Sequence, residues 1–415
     1  MLSAGSRSTT AMTSAPATTA AASPREVVVP GTRAHSNLRR PVSRRALIQE
    51  VVEELAAMDR PSASDGERRA AERLAARLRD LGAPARLESE RAHGGFWWPI
   101  ALANLLAALA TFLPGPLRVL VAGIAAAAVH DDTTGGRQWW RRPLQRRETT
   151  NVVAELGDPA ADRVAVVVAH HDAAHSSVIY DPAPARAIGE RFADRLAEAD
   201  RTLPIMWTTI AAPLLAVLGL RRTARAWAAG VCAVMADIGR HPAVPGANDN
   251  LAAVGVVAAT AAALRERPVE GLRIVLLSTG AEESFSEGMQ GFVRRHRDGH
   301  VLALECVGSP LLCLVEGEGM MAMRDYPASE RDLVARAAED AGVQLHRGLR
   351  TVAASDAVVT LHRGIPSAMI GGVDPATWFP ANYHWPTDVP ENLDWDRVED
   401  CAAVVEAWLR RLAAS

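Results

Sequence analysis

The chain has no lysine; its 45 Lys and Arg positions are all arginine. Coding bias toward GC-rich codons accounts for that, and it carries no functional reading. Neither charge sign is in excess: the formal net charge is −3 over 415 residues, which gives no basis for nucleic acid as a partner. Cysteine is scarce. Cys232, Cys306, Cys313 and Cys401 form no C-x-x-C pair, which argues against a thiolate zinc knuckle and a redox motif. Scattered single cysteines fit reduced, buried thiols in a reducing compartment. The first 40 residues are rich in Ala, Ser, Thr and Pro and lack an apolar run. They read as a disordered tail, not as a secretory signal. No internal repeat is evident.

What is present is apolar: 49% of residues are hydrophobic, ample for a sizeable core. Leu47, Val51, Val52, Leu55 and Met58 recur at helical spacing, and a second helix is expected over about 67–81. Strands are expected over Thr150–Leu156 and Arg163–Ala169, a polar helix over about 185–199, and a small-residue helix over Leu251–Leu264. The run Leu272–Leu277 reads as a buried strand, followed by helices and strands in alternation to a closing amphipathic helix, Trp395–Leu412. Strands alternating with helices imply an α/β sheet covered on both faces. Two apolar segments interrupt this pattern, 95–130 and 203–240, each read as a hydrophobic helical hairpin. The first arm is long enough by residue count to cross a bilayer, and Trp97-Trp98 at its mouth suits a membrane interface. A buried helical cap or dimer face is the alternative. Arginines are more numerous on the flanks than in the turns, which places the remainder of an integral membrane protein in the cytoplasm, although Arg221, Arg222 and Arg225 in the second turn argue the other way.

The pair Glu282-Glu283 follows the strand at Leu272–Leu277. Neighbouring residues at a strand end point in different directions, so one carboxylate can bind a metal while the other takes a proton from water. Taken alone, such a pair reads first as a solvated loop. Four more groups change that: His170, Asp249, Glu305 and His384 also fall at expected strand ends or in loops. Imidazole with carboxylate is the ligand chemistry of zinc. Five ligands suffice for two ions if one carboxylate bridges. Asp172, two residues after His170, is placed to fix the imidazole tautomer.

The order and flanks of these residues resemble the M28 metallopeptidases, zinc aminopeptidases that bind two metals. The resemblance rests on Asn151–Leu156, Ala169-His170-His171-Asp172, Gly246–Asn250, Ala281-Glu282-Glu283, Leu304–Gly308, Ser355-Asp356, Arg363–Pro366, and Tyr383-His384 with Thr387-Asp388. It covers about Asn151 to Asp388 and implies a metallopeptidase domain over 41–415. The implied fold is a mixed, mostly parallel sheet sandwiched by helices, with the site at the strand C-termini. The resemblance further implies that His170 and Glu305 bind one zinc ion, Glu283 and His384 the other, and that Asp249 bridges. Asp172 would orient His170, and Glu282 would act as general base in hydrolysing a peptide substrate, most simply as an aminopeptidase. Three departures stand out. Glu305 occupies a position where the family usually has Asp, Val168 one where Gly is common, and the apolar segments lie outside the soluble family core. Two other readings compete: a single-zinc acyl transferase of the glutaminyl cyclase kind, and a non-catalytic membrane-bound pseudopeptidase. Asp181, Glu287 and Asp356 are candidates to bind a substrate amine, and Trp378, Phe379 and Tyr383 to line a pocket.

Overall fold

Seven strands form the central sheet, and their edge-to-edge order shows how the site is assembled. A computed structural model describes residues 43–197, 202 and 205–415; the expected tail at 1–40 lies outside the described residues. Helices α1 (Arg44–Ala56) and α2 (Asp65–Asp80) lead into β1 (Ala85–Ala92), and α3 (Trp97–Ala110) and α4 (Gly115–Thr133) precede β2 (Arg147–Gly157) and β3 (Val164–His170). Next come α5 (Pro182–Ala197), α6 (Trp207–Val217), α7 (Arg221–Ile238), α8 (Ala252–Glu266), β4 (Arg273–Thr279), α9 (Glu287–Arg295), β5 (His300–Glu305) and β6 (Leu311–Leu314). The chain closes with β7 (Gly317–Glu318), β8 (Arg324–Asp325), α10 (Ala328–Asp340), β9 (Arg350–Thr351), α11 (Asp356–His362), β10 (Ser367–Val373) and α12 (Trp395–Ala414). The large sheet runs β1-β2-β4-β3-β5-β10-β6, and β8-β7-β9 form a small second one.

Strands β4, β3, β5 and β10 are mutually parallel, while β2 pairs antiparallel with β4, β1 with β2, and β6 with β10. The sheet is therefore mixed, with a parallel centre. Side chains alternate across each strand. On one face Ala165, Val167, Ile274, Leu276, Leu302 and Leu304 pack with α1, α8 and α12. On the other, Val166, Val168, Val275, Leu277, Val301 and Ala303 meet residues of α9 and α11. Burial on both faces is why these strands read as unbroken apolar runs. Helix α8 comes close enough to α1 that a Cβ on Gly255 would lie 2.6 Å from Ile48 Cγ2.

The structure does not support the expectation of bilayer-crossing segments. Residues 95–130 and 203–240 hold α3 with α4 and α6 with α7, but α3 has 14 residues and α6 has 11. At 1.5 Å per residue they span roughly 21 and 17 Å, against a hydrocarbon core of about 30 Å. Prolines and glycine at 114–116 and the Leu218-Gly219-Leu220 stretch end these arms early, and Arg221, Arg222 and Arg225 start α7 instead of forming a turn. Among the described residues, the one helix long and apolar enough to cross is Ala247–Glu266, and 89% of it is buried inside the protein. It is a core helix.

Candidate metal centre

Three parallel strands deliver the site from their carboxyl ends, where open α/β sheets carry their ligands. His170 is the last residue of β3 and Glu305 the last of β5, and the Glu282-Glu283 pair follows β4 within four residues. His384 and Asp249 arrive on loops, His384 after β10 and Asp249 just ahead of α8. The structure thus brings together all five expected ligands and both expected helper residues.

Asp249 lies at the centre. Its Oδ1 is 3.1 Å from His170 Nε2 and its Oδ2 is 3.2 Å from His384 Nε2. Glu305 Oε1 lies 3.4 Å from His170 Nε2, and Glu283 Oε2 lies 3.2 Å from His384 Nε2. Three trios result: His170-Asp249-Glu305 and Asp249-Glu283-His384, which share Asp249, and His170-Glu282-Glu283. Ligands about 2.0–2.1 Å from a tetrahedral zinc sit roughly 3.4 Å from one another, and the contacts of the two imidazoles to Asp249, Glu305 and Glu283 have that spacing. Glu283 Oε1 is buried without a partner, a polar atom whose burial is costly unless something binds it. The extra methylene of Glu305 does not keep it out of the cluster.

Glu282 stands beside the two trios that share Asp249, its Oε2 3.9 Å from His170 Nε2 and its Oε1 accepting a hydrogen bond from Ser286 Oγ. Asp172 does more than the sequence suggested. Its Oδ1 lies 3.4 Å from His170 Nδ1, and its two oxygens accept the backbone N–H groups of Glu282 and Glu283, each at 3.1 Å. Ser62 Oγ donates to it as well, at 2.6 Å. One carboxylate therefore lies beside the imidazole and bonds the backbone of both members of the acidic pair.

Burial and charge set the protonation chemistry. Burial raises Glu305 to about 8, with His170 opposing. Burial likewise pushes Glu282 well above the carboxylate range; His170 counteracts this, while Glu283 and Glu305 add to it. Burial works against a charged His170, yet Glu305, Asp172 and Asp249 outweigh it and hold the imidazole well above its ordinary value. Asp249 stays low despite burial, because it is bonded to both histidines. A buried cluster this rich in carboxylates is one that a divalent cation would neutralise.

The two asparagines around Asp249 hold the loops in register. Asn250 Nδ2 donates to Leu304 O and its Oδ1 accepts from Cys306 N, clasping the backbone on either side of Glu305. Asn248 binds Gly308 N, Ser309 Oγ and Ala381 O. Asp388 accepts from the backbone of Asn248 and Asp249. Three further residues gave no signal in the sequence. The fully buried Arg60 donates to the carbonyls of His171, Asp172, Pro245 and Gly246, joining the loops that carry His170 and Asp249. Glu67 accepts from Ala63 N, Thr150 N, Ala281 N and Thr149 Oγ1. Tyr180 sets its ring edge against His384 at 4.6 Å, and Tyr383 stacks on that imidazole at 3.8 Å.

The amine-binding candidates separate. Asp181 accepts from Ala183 N at the start of α5, and Glu287 is occupied by His93 N, Gly94 N and Ser284 Oγ. Asp356 accepts from Thr279 Oγ1 and leaves Oδ1 without a protein partner. Trp378 packs on His346 and Phe379 bridges to Asp374, so both serve the fold.

The model of peptidase family M28 matches residues 226–409, the part holding Asp249, Glu282, Glu283, Glu305 and His384 but not His170 or Asp172. Among solved structures, a Zn-dependent exopeptidase from Parabacteroides distasonis superposes with a TM-score of 0.53 at 16% identity, covering 89% of this chain and 97% of that one. A zinc aminopeptidase from Bacillus subtilis gives 0.51 at 14%, covering 89% and 95%. A glutaminyl cyclase from Tannerella forsythia gives 0.52 at 14%, covering 89% and 97%. The chain therefore shares the zinc exopeptidase fold, a fold that also serves cyclases. No curated protein sequence matches it.

Proposed function

We propose that this chain is a two-zinc M28-type peptidase that removes residues from the amino end of peptides. The observation that carries this reading is Asp249, which turns one oxygen to His170 and the other to His384 at 3.1 and 3.2 Å. A carboxylate so placed is what a bridging ligand requires. His170 and Glu305 would complete one ion, Glu283 and His384 the other. Zinc held there would polarise a scissile carbonyl and acidify a water molecule.

The chain's own residues supply the remaining chemistry. Glu282 is buried, lies outside the two trios that share Asp249, and is held by Asp172 through its backbone. Its raised proton affinity suits a base that takes a proton from the attacking water and returns it to the departing amine nitrogen. Tyr180 and Tyr383 enclose His384 and limit water on that side. The acid-rich surroundings favour a substrate bearing a protonated amine, with Asp356 Oδ1 as the available acceptor. The match to the M28 model and the exopeptidase fold support the peptidase reading.

Metal analysis together with digestion of a peptide library tests it. About two zinc ions per chain and stepwise release of amino-terminal residues are expected. About one ion with cyclisation of amino-terminal glutamine would instead favour the acyl transferase, and neither ion nor turnover the pseudopeptidase.

A further inference from the structure

Helices α3, α4, α6 and α7 pack into one layer whose polarity is inverted. On α3 the outward residues are Trp98, Leu102, Leu105 and Leu109, spaced along a single face that Phe112 continues just past the helix. A helix facing water places polar residues there. One buried cluster of the layer consists of small residues, Ala110, Ala122, Ala216 and Ala224. Buried Asn104 adds an interhelical hydrogen bond to Thr209 O. Large residues (Trp97, Ile100, Ile210, Val231, Met235, Ile238) fill other parts of the layer, but the exposed apolar face, the small-residue contact and the polar tie between helices match helices solvated by lipid. Exposed large apolar side chains occur on all four helices, and just beyond α3 and α6 the exposure reaches 67% at Phe112 and 73% at Leu218.

The charges of the layer are equally one-sided. From Phe96 to Val129 and from Ile205 to Ala236 there is no Asp or Glu; the charged residues are Arg118, Arg221, Arg222 and Arg225. The structure gathers them at one end. Arg118 Nε donates to Ala216 O, and the Arg225 guanidinium lies 4.8 Å over the Phe112 ring. Among the described residues none of the four has a carboxylate partner, whereas arginines elsewhere, such as Arg45, Arg77, Arg295 and Arg411, are paired.

We infer that this layer docks the protein on an anionic lipid bilayer, entering one leaflet without crossing it. The arginines meet anionic headgroups, and the outward side chains of α3, Leu102, Leu105 and Leu109, enter the acyl boundary. A second copy seated on this face would bring no carboxylate to the arginines.

Vesicle flotation of the full chain tests this without any catalytic readout, so it stands apart from the peptidase reading. The chain is expected to float with vesicles of phosphatidylcholine mixed with phosphatidylglycerol, less so at high salt, and weakly with phosphatidylcholine alone. Arg221→Gln with Arg222→Gln should lower partition to the anionic vesicles on the order of tenfold or more. Leu105→Gln with Leu109→Gln should weaken binding to both vesicle types. These positions are exposed, and circular dichroism verifies that the variants fold. Absence of flotation by the folded chain, or equal flotation on both vesicle types, would overturn the inference. A lipid-free dimer that dissociates in the Leu105/Leu109 variant would replace the bilayer with a second copy.

Discussion

Glu282 and Glu283 are adjacent in the chain yet differ in what surrounds them, and substitution should separate them. Glu283 faces His384, so Glu283→Ala should strip metal, read by elemental analysis. Under the proposed mechanism Glu282 carries the proton. Glu282→Gln should retain metal and thermal stability while turnover falls by roughly 10²–10⁴-fold, read by steady-state kinetics. A Glu282→Gln enzyme with full activity would defeat the assignment. Asp172→Asn tests the support: an amide presents one acceptor where the carboxylate presents two. Zinc affinity should fall about 10–100-fold in chelator competition.

At the scale of elements, a buried ion cluster joins the apolar layer to the acidic loop. Arg141 pairs with Asp132 at the end of α4, donates to Ser284 O, and lies 3.6 Å from Glu287. Phe96, just ahead of α3, stacks on Phe285 at 4.8 Å. Arg141→Met leaves the Asp132 carboxylate buried and unpaired, a change costing about 3–5 kcal/mol. Combining it with Asp132→Leu should recover part of that loss, as a double-mutant cycle in denaturant would show. On the opposite face, Gly255→Val would force its side chain into Ile48 and should cost about 1–3 kcal/mol.

For the molecule as a whole, metal and proton occupancy are coupled to stability. Ligands that bind only the folded state raise its stability, so chelation should lower the melting temperature and zinc should restore it. In the chelated protein pH dependence follows from acids that burial has raised: Glu67 and Glu305 to about 8, and Asp388 and Glu318 to about 7. Their ordinary values are 4.5 for Glu and 3.8 for Asp. Between those values and about 8 the folded state binds more protons than the unfolded one, so stability falls as pH rises. Melting curves of chelated protein across that window should show the decline, reduced by Glu67→Gln.

Residue type and order alone determined much of this protein. The central strands were legible because burial on both faces makes an unbroken apolar run, and the acids and imidazoles at their ends are costly to bury without purpose. Only the tertiary structure decided which side chains share an atom's reach. Arg60 and Glu67 act across separations of about a hundred residues or more, and no local pattern encodes such contacts. Tyr180 meets His384 for the same reason. Hydropathy could not distinguish α8, apolar because it is core, from α3, apolar because of what it presents outward. That distinction depends on which face each helix buries, and packing alone fixes it. The pair Glu282-Glu283 was visible in the sequence; the carboxylate of Asp172 that holds both of its amides was not recognisable as such until the fold placed it there.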